Sequence, residues 1–149
     1  MELTILLMSP RPEFRTALEA GVSRALVIGS PPATDNDWLL DQGTGPAANR
    51  LLPVATLPAL DGGAGEQGWF DAFDQLARRG ARGFKIHPNL DGLSPSHPAY
   101  RALFQVARER KRFVILHTGC FHAAIYRTAG DANPEAFVPL FSDYPEVPV

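Results

Sequence analysis

The sequence predicts an α/β fold built on parallel strands, and three observations predict it. Short apolar, β-prone runs alternate with stretches whose apolar residues follow helical spacing. The clearest unit runs from Gly80 to Cys120: G-A-R-G-F-K-I-H-P, then P-A-Y-R-A-L-F-Q-V-A-R-E-R-K-R, then F-V-I-L-H-T-G-C, which reads as strand, helix, strand. The strand centres near Val27, Ala55, Lys85 and Ile115 lie 28, 30 and 30 residues apart. A βα unit of an eight-stranded barrel averages about 31 residues, from roughly 250 residues over eight strands. One more such step lands on Pro145 to Val149. The expectation is a partial (β/α)8 TIM barrel of about five βα units with parallel strands, truncated before strand 6. The chain reads as a single incomplete barrel domain.

Each element has its own signal. Leu3 to Met8 is an apolar strand stopped by Ser9-Pro10, and Pro12 to Ala20 has Phe14, Ala17 and Leu18 at helical spacing before Gly21. Ala25 to Gly29 is a buried strand. Ser30 to Asn49 is polar and broken by prolines and glycines, with one helical turn expected from Asp37 to Gln42. Leu51 to Leu57 is a strand interrupted by Pro53. Glu66 to Arg79 is a helix with Trp69, Phe70, Phe73, Leu76 and Ala77 inward and Gly80 at its end. Phe84 to His87 and Phe113 to Thr118 are the strands that flank the next helix, whose buried face carries Ala99, Ala102, Leu103, Val106 and Ala107. Pro134 to Asp143 reads as a helix disturbed by Pro139.

Composition narrows the class. With 149 residues, 45% hydrophobic and 20% charged, the chain has the make-up of a globular domain with a core. A net charge of −2 argues against a nucleic-acid or anionic-membrane partner. The longest apolar runs are far shorter than the roughly 20 residues of a membrane span, and Glu2 stands where a secretory signal would be basic. Cys120 is the one cysteine, so no intrachain disulfide forms and a reducing cytoplasm is expected.

Candidate chemistry gathers at the strand ends, where parallel α/β folds place their ligands. Alternation along a strand puts Gly83, Lys85 and His87 on one face, and Phe113, Ile115 and His117 on one face of the next. If those faces point inward, Lys85, His87 and His117 converge at one mouth. Lys85 reads as a substrate-anion contact, a carbamylated metal bridge or a solvated strand-end lysine. His87 is held extended by Pro88, which lets its ring reach the mouth. On neighbouring loops, His122 and Asp91 are candidate substrate contacts, with Asp131 at the same end. His97 reads as an exposed or capping side chain, and Cys120 as a small buried hydrophobe. Arg108 to Arg112 closes a helix, where cations complement the dipole.

The phrases R-G-F-K-I-H-P, H-T-G and P-E-V-P-V resemble the amidohydrolase-related, metal-dependent hydrolases that include the aminocarboxymuconate-semialdehyde decarboxylase type. A-G-V-S-R-A-L-V-I-G is similar to that family's entry into its second strand. The resemblance covers most of Leu18 to Val149 and is strongest from Gly80 to Gly119. It implies a (β/α)8 barrel whose metal is held by an H-x-H on strand 1, by histidines ending strands 5 and 6, and by an aspartate after strand 8. His117 matches the strand-5 histidine. No H-x-H occurs in the chain, and Leu6, Leu7, Met8, Ser9 and Pro10 stand where the strand-1 pair belongs. The strand-6 and strand-8 ligands fall beyond Val149.

Three functional readings are open. The first is a metal-dependent amidohydrolase-type hydrolase. It would cleave a C–N or C–O bond of a small-molecule substrate, or decarboxylate it without oxidation. A divalent metal, zinc by its ligand, would activate water, with His117 as ligand and Lys85 and His87 as catalytic groups. Taken alone, this chain would be inactive. The second is a non-catalytic fragment or pseudo-enzyme that forms a homo-oligomer or pairs with a missing half, because five parallel strands leave two open edges. The third is a small open α/β domain that binds an anion at its strand ends.

Overall fold

The computed structural model describes residues 4–7, 21–29, 35–44, 48–60, 63–119 and 132–149. Among these residues, five strands form one parallel sheet in sequential order: β1 (Thr4–Leu7), β2 (Arg24–Ile28), β3 (Leu51–Ala55), β4 (Gly83–Ile86) and β5 (Phe113–Leu116). The sheet curls into a partial α/β barrel, as the strand spacing predicts. The described helices are α1 (Asn36–Gln42), α2 (Glu66–Arg78), α3 (Pro88–Asp91), α4 (Pro98–Arg110) and α5 (Val138–Asp143), with a 3-10 turn at Pro134–Phe137. The helix expected over Pro12 to Ala20 lies outside the described residues. Among the described residues, no helix is long and apolar enough to cross a membrane.

The core lies between the sheet and its outer helices. Phe84, Ile86 and Val114 point outward and are buried beneath α2 and α4. Trp69, Phe73, Leu76 and Ala77 of α2 meet them, with Phe73 edge-on to Phe84 at 5.4 Å between ring centres. From α4 come Tyr100, Leu103, Phe104 and Val106, all buried. Each such large apolar side chain contributes about 1.5–3 kcal/mol by leaving water. Phe137, Leu140, Tyr144 and Val147 extend this core below α4, with the Phe104 ring 5.8 Å from that of Tyr144.

Several element ends differ from the sequence reading by a residue or two, as β5 does in stopping at Leu116 rather than Thr118, and four further differences have a physical reason. The α1 helix has seven residues rather than one turn, because Asp35 caps it by accepting from the Trp38 N–H at 2.7 Å. Strand β3 stops at Ala55. The next residue, Thr56, turns its N–H to the Asn36 side chain at 2.9 Å and its carbonyl accepts from the same amide at 3.0 Å. The helix expected over Pro134 to Asp143 splits into a 3-10 turn and α5, which leaves Pro139 in the first turn of α5, where no N–H is needed. Asp91, read as a loop residue, ends the short helix α3.

Pro53 sits inside β3 without breaking the sheet. Its carbonyl accepts from the Arg82 N–H at 2.8 Å, and pairing with β4 starts one residue later at Val54↔Gly83. At the other edge, the Val114 N–H donates to the Pro148 carbonyl at 2.8 Å. The end of the chain therefore lies along β5, where the next strand of a barrel would pair.

Candidate functional site

The inner face of the sheet builds the site. Gly83 and Phe113 are paired neighbours, and the Phe113 ring lies over Gly83. That places Gly83, Lys85 and His87 on the same side as Phe113, Ile115 and His117, away from the buried outer face. Phe113 and Ile115 are half-buried there. The pairing continues through Lys85↔Ile115 and Ile86↔Leu116, and the His117 N–H donates to the Ile86 carbonyl at 2.9 Å. One step further along, His87 meets His117. Their rings stack, with centres 3.9 Å apart and planes 9° from parallel. Three of the sequence candidates thus share one strand-end face.

Burial governs the electrostatics of this cluster. His87 is 8% exposed. Burial, then the nearby His117 and Lys85, bring its imidazole down to about 4 from the ordinary 6.5. His117 is lowered in the same direction by burial and by Lys85. Both rings are therefore neutral near pH 7. Lys85 is half-buried, and burial lowers its ammonium while the Asp91 carboxylate pulls the other way. Asp91 is raised by burial against the His87 N–H, the Tyr100 hydroxyl and Lys85.

Asp91 is brought to the cluster from below. Its Oδ2 accepts from the His87 backbone N–H at 3.0 Å and from the Tyr100 hydroxyl at 2.9 Å. Sequence reading passed over Tyr100, since nothing in the helical spacing of α4 sets that hydroxyl apart from its apolar neighbours. His97 caps α4, its Nδ1 accepting from the Ala99 N–H at 3.2 Å. A cleft lined in part by Ser96, His97 and Arg101 lies against α5 and holds none of the clustered groups. His122, Cys120 and Asp131 lie outside the described residues.

A metal can be tested against this geometry. Neutral His117 is a suitable single donor. One ion cannot bind both rings as they stand, because two planes so nearly parallel do not meet within bonding distance of either ring. An ion midway would stand roughly 2 Å out of each plane, whereas a zinc–nitrogen bond of about 2.0–2.1 Å runs in the plane of its ring. Among the described residues, no group of three or more His, Cys, Asp or Glu side chains is placed to hold a metal. These residues offer one ligand position and do not complete a centre.

What the cluster can do unaided is narrower: it can hold an anionic group against Lys85 and move a proton at a neutral imidazole. No curated protein and no solved structure matches the chain. A protein-family model described as amidohydrolase matches residues 7–149. With that match over nearly the whole chain and a parallel sheet that carries its polar groups at the strand ends, the protein belongs to the amidohydrolase family.

Proposed function

We propose that Lys85, His87 and His117 form the catalytic mouth of a metal-dependent hydrolase acting on a small molecule. The bond cleaved is C–N or C–O, with non-oxidative decarboxylation as the related chemistry of the same mouth. The observation that carries this reading is the His87–His117 stack at the ends of adjacent strands, with Lys85 on the same face. His117 would hold the metal, and its other donors would come from outside the described residues. A bound zinc supplies Lewis acidity and a water made acidic enough to ionise near neutral pH.

The remaining roles fall to the chain's own side chains. Lys85 binds the substrate's carboxylate or carbonyl oxygen, an interaction strengthened by partial burial. His87, neutral and stacked, accepts a proton once an anion beside Lys85 offsets the burial and the repulsion that now lower it. His122 and Asp91 stay candidates for substrate contact. The lone cysteine supports a reducing, cytoplasmic setting.

Zinc titration of the purified chain tests the assignment. Binding is expected to be weak, lost in His117→Ala and unchanged in His97→Ala. Affinity that survives the loss of His117 would remove the basis for the metal site.

A second reading has its own observation. Phe113 and Ile115 are only half-buried on the inner face, which fits a non-catalytic partial barrel that pairs with another chain. A melting temperature that rises with protein concentration would favour it. A concentration-independent transition would count against it.

A further inference from the structure

His87 is clamped through its backbone on both sides. Its carbonyl accepts from the N–H groups of Leu90 and Asp91, each at 2.8 Å, which closes the α3 turn. Its own N–H donates to the Asp91 carboxylate, four residues on. The same oxygen takes the hydroxyl of Tyr100, which is fully buried on α4. A carboxylate in this position costs desolvation, and burial raises it accordingly. Capping a single short turn does not require a buried link to a second helix. The link has a geometric result: it ties the Cα–Cβ direction of His87 to α4, the helix packed behind β4 and β5. From that direction the His87 ring lands flat on His117.

We infer that Asp91, held by Tyr100, is a positioning residue that keeps the His87 ring stacked on His117. The inference rests on the reading of His87 as a catalytic group, and it names what aims that group. Asp91 acts as an acceptor oxygen at a fixed place, so its shape matters more than its charge.

Ring-current shifts report the stack directly. Ring-proton spectra of the metal-free chain are recorded at pH 8, where both imidazoles are neutral, and assigned with His97→Asn and His122→Asn variants. In Asp91→Ala the mutual upfield shift of the His87 and His117 ring protons is expected to be lost while the amide spectrum of β4 and β5 persists. In Asp91→Asn, whose carboxamide oxygen can accept both hydrogen bonds, the shift is expected to be retained. Tyr100→Phe is expected to lose part of it, and this variant decides if Asp91→Ala does not fold. Unchanged ring protons in Asp91→Ala, or in Tyr100→Phe where that variant decides, would overturn the inference. So would an equal loss in Asp91→Asn. Because the readout needs neither metal nor turnover, a failed zinc titration would leave it standing, and its own failure would leave the zinc result untouched.

Discussion

The Phe113 ring lies so close over Gly83 that a Cβ at position 83 would come within 2.5 Å of it. The two residues are paired across β4 and β5, and their contact lines the inner face just below Lys85. Gly83→Ala must therefore push the ring aside. Overpacking of this kind typically costs about 1–3 kcal/mol. Urea denaturation should show such a loss in Gly83→Ala, and Gly83→Ala should cost much less in a Phe113→Leu background. Additive effects of the two substitutions would mean that the ring does not cover Gly83.

The Asn36 side chain binds both backbone groups of Thr56, joining the start of α1 to the end of β3. Thr56 is buried, so losing this amide leaves an N–H and a carbonyl without those partners. Asn36→Ala should cost on the order of 2 kcal/mol. Asn36→Asp, which keeps an acceptor for the N–H but offers no donor to the carbonyl, should lie between wild type and Ala. Chemical denaturation of the three proteins at one pH ranks them, and an Ala variant as stable as wild type contradicts the bridge.

Acid should weaken the metal-free fold through the histidine stack. The folded His87 is held near 4 and the unfolded side chain titrates near 6.5. Between those values the unfolded chain binds the proton and the folded one does not, so stability is complete above pH 6.5 and falls as pH drops toward 4. At about 1.4 kcal/mol for each pH unit separating the two values, the loss from His87 is on the order of 3 kcal/mol. His117 acts in the same direction. Asp91, raised by burial, opposes the loss at the acid end, where its folded form takes up a proton before the unfolded one does. Urea midpoints at pH 7 and pH 5 should differ in wild type and differ less in His87→Asn. Equal pH slopes in the two proteins would show that His87 is not buried as described.

Much of this arrangement was legible in the sequence because it follows from periodicity. The even strand spacing foretold the sequential parallel sheet, and alternation along G-F-K-I-H and F-V-I-L-H placed Lys85, His87 and His117 on one face. That the two histidines meet as a stack follows from register, which the strands' apolar pattern does not state. The Asp91–Tyr100 contact was not legible, since it spans nine residues across a loop and leaves no repeating signal. The same holds for Asn36 and Thr56, twenty residues apart. Helix ends were misjudged where a single side chain decides them, as Asp35 does for α1.

Lys85 offers the sharpest check on the inner face, because one substitution predicts three directions at once. Its ammonium lowers both His87 and His117 and supports the charged form of Asp91. Lys85→Met keeps the length and apolar stem but removes the charge. Both imidazoles should then titrate at higher pH than in wild type, with burial still holding them below the ordinary value. The Asp91 carboxyl should move up as well, having lost its neighbouring cation. Burial of the lysine opposes its charged form, so stability should not fall in Lys85→Met. Following the imidazole and carboxyl carbons by NMR across pH 3 to 8 reads all three groups in one experiment. Histidine titrations that stay where they were would mean that the ammonium points away from the stack, and the shared inner face of Gly83, Lys85 and His87 would have to be abandoned.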